Sequence, residues 1–198
     1  MTVTEPFELA MMILKRPIET FTKFRENPPF WMAVSLYFII WAGTASYVFS
    51  YLSAENDAEK IKQYLTFAFT GFGGLITAFF FFSLILYVNA RIVFGRGGFR
   101  AIFTACLYSF LAVALYLALP AQLLSFLFVP PEMEYWFSII TRSVIISYYL
   151  LLLIIATGKI FELSVVRSVI SVFAVFAYAI FFVVSAVYIA RTYNIPLF

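Results

Sequence analysis

Apolar residues in this chain fall into long runs separated by short polar breaks, with no alternation of the kind a strand needs. The runs extend from about Phe30 to Ser53, Tyr64 to Phe94, Phe99 to Phe128, Tyr135 to Thr157 and Val165 to Ala190. About 20 helical residues, at ~1.5 Å each, cross a ~30 Å hydrocarbon core. Each run is long enough, so the pattern predicts an all-α polytopic membrane protein with a five-helix transmembrane bundle over 30–191. The breaks carry turn chemistry. Residues 54–63 hold three acids and two lysines, and Gly95-Arg96-Gly97-Gly98 forms a basic corner. Residues 129–135 contain two prolines and two glutamates with no basic residue, and Gly158-Lys159 leads into Glu162. Residues 192–198 form a short tail.

Residues 1–29 follow a different rule. Thr4 is placed to cap a helix with Pro6 in its first turn. Phe7, Ala10, Met11 and Leu14 share one face. Pro17 interrupts the hydrogen-bond ladder, and Ile18, Phe21 and Phe24 make a second apolar stripe opposite Glu19, Lys23 and Glu26. Segments this short and two-faced predict N-terminal amphipathic interfacial helices that lie on the membrane and cover the bundle. The same face is a candidate docking surface for a partner. Asn27-Pro28-Pro29 ends the segment, and Phe30 and Trp31 mark an interface.

Within the runs, single residues modify the picture. Ala42-Gly43-Thr44-Ala45-Ser46 permits close helix approach. The second run would measure ~46 Å as one helix, so it must tilt, bend or project, with Gly71, Gly73 and Gly74 the expected place for bending or close packing. Phe79 to Phe82 is packing mass rather than a cofactor box. Pro120 predicts a kink in the third run.

Composition then narrows the function. Of 198 residues, 64% are hydrophobic and 12% charged, too few charges to cover a soluble domain. There is no histidine, which removes the commonest general base and metal ligand. The single cysteine, Cys106, sits in an apolar run, so no disulfide or cysteine metal site is expected. Asp57 with Glu59, and Glu132 with Glu134, lack a third ligand. No cofactor, metal or catalytic residue is expected, and the protein reads as non-enzymatic. No acid pair lies within a run, which disfavours a proton-coupled pump. No extended basic surface points to nucleic acid. Phe7 to Leu14 is too short and lacks a preceding positive charge to be a signal peptide.

Charge sets the expected orientation. Lys15, Arg16, Lys23, Arg25, Arg91, Arg96, Arg100, Lys159 and Arg167 would share one side, against Lys60, Lys62 and Arg191 on the other. Nine against three predicts a cytoplasmic N-terminus and an outer C-terminus, in what is expected to be the plasma membrane.

Three stretches resemble one family. Arg16-Pro17-Ile18-Glu19-Thr20-Phe21 with Arg25-Glu26-Asn27-Pro28-Pro29 is similar to a P-x-E-T-F…E-N-P lead-in. Tyr87 to Arg100 is similar to the end of a second span and its glycine-rich F-R turn. The third likeness is the five-span layout with a basic turn before the last span. Together they resemble the Yip (Ypt-interacting protein) domain family in its prokaryotic form, over roughly residues 15–190. The resemblance implies five spans and a cytoplasmic N-terminus. Eukaryotic members work in vesicle traffic with Rab-type GTPases. This chain lacks their long N-terminal region and D-L-Y-G-P motif, so GTPase binding is not carried over. The implied role is contact with lipids or a protein partner at the cytoplasmic face.

Two sets of residues are candidate sites. Arg91, Arg96, Gly97, Gly98 and Arg100 place positive charge and glycine backbone beside the N-terminus of the third span, a setting for a phosphate or an anionic lipid headgroup. Topology alone also accounts for arginines there, and the nucleotide-binding Gly-x-x-x-x-Gly-Lys-Ser/Thr spacing is absent. Arg142 lies ~10 Å into the fourth span, a costly depth for a charge. Snorkelling to the outer interface is one reading, with Glu132, Glu134, Glu55, Asp57 and Glu59 as candidate partners. The other reading is a small channel or transporter with a polar path near Asn89, Gln122 and Arg142. Glu162 and Arg167 are expected to form a local ion pair of little worth.

Overall fold

The computed structural model describes residues 5–38, 42 and 57–192, and all of the regular structure among them is helical. Helix α1 is Glu5–Lys15, α2 is Pro17–Glu26, and residues 30–38 form α3. Helix α4 is Asp57–Ile92, α5 runs Phe99–Phe128, α6 is Pro131–Phe161 and α7 is Val165–Thr192. The Thr4 cap, most of the first expected span with its small-residue cluster, residues 54–56 and residues 193–198 lie outside the described residues. Helices Phe99–Phe128 and Glu132–Phe161 are each long and apolar enough to cross a membrane, and Ile76–Ile92 and Val165–Tyr178 are shorter apolar helices.

Residues 57–63, expected in a loop, are the first two turns of α4. That helix continues unbroken through Gly71, Gly73 and Gly74. A Cβ at Gly73 or Gly74 would meet nothing within 4 Å among the described residues. Pro120 acts differently from a simple kink. Its ring clashes with the carbonyl four residues back and it donates no bond. The ladder widens just before it into a π turn, Ala114–Ala118, where the Leu119 amide bonds the Ala114 carbonyl.

The first half of α5 is the centre of the molecule. Ala101–Ser109 and Leu111–Val113 are all buried, because α1, α2, α4 and α6 surround them. Small residues make this possible: Ala101, Ala105, Cys106, Ser109 and Ala112 let four neighbours approach one backbone. Aromatic edges fill the gaps. Phe103 meets Phe30 of α3 at 5.5 Å and Phe99 at 5.9 Å, and Phe110 meets Phe79 of α4 at 5.1 Å. Such ring pairs add ~0.5–1.5 kcal/mol each beyond the area they bury. Hydroxyls in the helices bond back along their own ladders, Thr104 to the Arg100 carbonyl and Thr157 to that of Leu153, which an apolar surrounding requires.

The N-terminal helices are docked into the bundle along a stripe that only partly follows the expected one. Ala10 and Ile13 of α1, and Thr20, Phe21 and Phe24 of α2, are buried, whereas Phe7 and Ile18 are exposed. Helix α1 packs on α5, and α2 packs on both α5 and α6. Two tyrosines fasten α1 by its backbone: Tyr116 donates to the Phe7 carbonyl at 3.1 Å, and Tyr148 to the Leu14 carbonyl at 3.2 Å. Leu14 offers a free acceptor because the chain breaks at Pro17 and the last carbonyls of α1 have no helical partner. On the outer side of α2, Lys23 bonds Glu19 at 2.9 Å and holds its carboxyl below the usual value.

Candidate functional site

The α4–α5 corner and the α6–α7 turn pack directly on one another. The chain leaves α4 with Phe94 in the left-handed region (φ 70°), and the Gly95 amide bonds the Ala90 carbonyl at 2.8 Å. The Arg96 amide then donates to the Phe161 carbonyl, 3.1 Å away at the end of α6. Gly95 and Gly97 sit flat against this turn. A Cβ on Gly97 would lie 2.6 Å from the Ile160 carbonyl, and one on Gly95 would lie 2.8 Å from Phe161 Cβ. Gly97 is therefore buried in the joint between the two turns. Gly98 is open, extended (φ −98°, ψ 149°), and caps α5.

The arginines of the corner differ in their freedom. Arg91 donates to the Gly95 carbonyl at 3.1 Å and braces the turn. Arg100 stacks on the Phe30 ring, its guanidinium carbon 5.4 Å from the centroid. Arg96 is exposed and has no side-chain partner among the described residues. Phe94 (84% exposed) and Ile92 are exposed in the same corner, and Lys159 and Arg167 are exposed near the α6–α7 turn that packs on it. A bulky residue held at positive φ is strained, and such strain persists where surroundings or function impose it. Here it turns a phenyl ring outward at the corner that carries Arg91 and Arg96.

Glu162 corrects the expected local ion pair. It is the second non-glycine residue with positive φ (57°) and closes α6, with the Leu163 amide bonding the Gly158 carbonyl at 3.0 Å. Its carboxylate pairs with Arg25 at the end of α2, not with Arg167. Sequence spacing gives no sign of this pair, because 137 positions separate partners that only the docking of α2 on α6 brings together. Both side chains are roughly half exposed. Arg25→Ala should therefore lower stability by ~1 kcal/mol or less, read from thermal unfolding in detergent, with the loss shrinking in high salt.

The second candidate set is divided. Asn89 is buried and its side-chain amide reaches the Ser171 carbonyl at 3.5 Å, tying α4 to α7. Gln122 and Arg142 line a different cavity, of about 370 Å³, between the second half of α5 and the first half of α6. Glu134 lines it too, whereas Glu132 does not. Asn89 does not line this cavity.

The architecture defines an all-helical membrane-type protein whose basic corner is locked to a second turn at one end of the bundle. The family model of the Yip1 domain matches residues 11–187, and the chain belongs to that family. A search of curated proteins found no match, and neither did a search of solved structures.

Proposed function

We infer that this Yip-family protein is non-enzymatic and acts at the cytoplasmic face of the plasma membrane. It crosses the bilayer five times, with its N-terminus in the cytoplasm and its C-terminus outside. Its contacts there are anionic lipid headgroups, with a protein partner able to share the same face. The observation that carries this reading is the outward, strained Phe94 in the same α4–α5 corner as exposed Arg96, with ring-stacked Arg100 at the start of α5. An apolar ring flanked by cations suits the boundary between acyl chains and phosphates, where each guanidinium near an anionic surface contributes ~1 kcal/mol. The exposed amide end of α5 at Gly98 adds a positive dipole to the same place. The transporter reading is weaker, because Asn89 and the Gln122–Arg142 pair occupy separate surroundings.

The test is lipid co-purification. Arg96→Gln with Arg100→Gln should reduce co-purified anionic lipid about thirtyfold, given ~1 kcal/mol for each of the two charges, while total lipid is unchanged. Unchanged anionic lipid would leave the arginines with a topological role only.

A further inference from the structure

The cavity at the other end of the bundle has its own chemistry. One wall is α6, with Glu134, Ser138 and Arg142 spaced four residues apart and Thr141 beside them. The other wall is α5, with Gln122 and Ser125, and Phe126 at the rim. Residues at i, i+4 and i+8 fall along one face of a helix, so the backbone positions of Glu134 and Arg142 stand ~12 Å apart along the axis with Ser138 between them. The two side chains do not pair with each other, and neither charge has an ion-pair partner among the described residues. Two opposite, unpartnered charges at this separation are each costly beside lipid, and one ligand bearing both charges would neutralise both.

We propose that this cavity binds the headgroup of a zwitterionic phospholipid, phosphate against Arg142 and ammonium against Glu134. The guanidinium suits a phosphate because its planar donors pair with two oxygens at once. Ser138, Thr141, Gln122 and Ser125 supply neutral donors and acceptors between the charges. A purely anionic headgroup fits poorly, since it leaves Glu134 facing a like charge. The acyl chains have an apolar path, because Phe126 is 88% exposed at the rim and Leu123, Ile140 and Val144 are exposed on the flanking faces. The π turn ahead of Pro120 ends at Ala118, the first α5 residue of the lining; α5 is buried up to Val113, half-buried through the π turn and largely exposed beyond it.

The full-length protein is reconstituted in nanodiscs of equal phosphatidylethanolamine and phosphatidylglycerol, and the retained lipid is read by native mass spectrometry. Phosphatidylethanolamine should be enriched over phosphatidylglycerol. Arg142→Gln should cut that enrichment about tenfold, the usual weight of a charge-assisted hydrogen bond, and Arg142→Lys should restore most of it. Glu134→Gln should reverse the preference toward phosphatidylglycerol, an outcome that a merely unstable variant does not give. Free phosphoethanolamine at millimolar concentration should displace the lipid and inorganic phosphate should not. Retained lipid that mirrors the disc composition, enrichment that survives both charge-removing variants, or equal displacement by inorganic phosphate would overturn the proposal.

Discussion

Replacing Gly97 by alanine will destabilise the bundle by ~1–3 kcal/mol, the usual cost of forcing a methyl group into a filled interior. Its Cβ has no soft neighbour to displace. The nearest atom is the Ile160 carbonyl oxygen at 2.6 Å, which is backbone, and Phe161 Cδ1 follows at 2.8 Å. Either the α4–α5 corner or the end of α6 must move, and movement breaks the bond from the Arg96 amide to the Phe161 carbonyl. Gly98→Ser is the control one residue on. It has open space, an extended backbone that serine adopts freely, and a capping hydroxyl at the start of α5, so it should be neutral or slightly stabilising. Thermal unfolding of the two variants in detergent separates the cases. Equal midpoints for Gly97→Ala and the parent would show that the two turns are not locked.

Phe24→Ala will cost ~3–5 kcal/mol, as expected for removing a fully packed aromatic side chain. Phe24 is 2% exposed, 5.5 Å from the Tyr108 ring and 6.0 Å from Phe21. The loss should appear as undocking of α1 and α2 and faster trypsin cleavage at Lys15 and Lys23, with the rest of the bundle still helical. Helices that merely lie on the membrane would give another result. There Phe24→Ala would weaken lipid partition and leave the unfolding midpoint unchanged. Ile18→Ala is the useful comparison, because Ile18 is exposed and should tolerate the change within ~0.5 kcal/mol.

These two predictions rest on features of unequal legibility. Long apolar runs with glycine and proline breaks reveal helices in sequence, because an unbroken stretch of that length in an apolar surrounding must satisfy its own backbone. The amphipathic stripe of α2 was also readable at Phe21 and Phe24. What faces the stripe was not. The same periodicity suits a lipid interface or a protein groove, and the buried Thr20 and the tyrosine bonds to α1 carbonyls show the groove. The start of α4 is hidden in the sequence because the charged residues 57–63 look like a loop, although Ala, Glu, Lys and Gln are good helix formers. At the corner, arginine and glycine were visible as a pair of properties, positive charge and turn freedom. The structure separates them: Gly95 and Gly97 serve close packing, and Arg96 faces outward.

From the chain alone follow its helical class, the approximate places where helices start and stop, the family likeness, and the excess of cations on one set of turns. All of these depend on local properties, on hydropathy, turn chemistry and charge within a few neighbouring residues. Tertiary structure decided that α5 is the central helix and that α2 joins α6 through Arg25 and Glu162. It also decided that Asn89 belongs with Ser171, and that Gln122, Glu134 and Arg142 share one cavity. Each of these is a meeting of helices, set by which small-residue faces allow approach and where the π turn ahead of Pro120 interrupts the ladder of α5, and hydropathy carries no record of which face meets which.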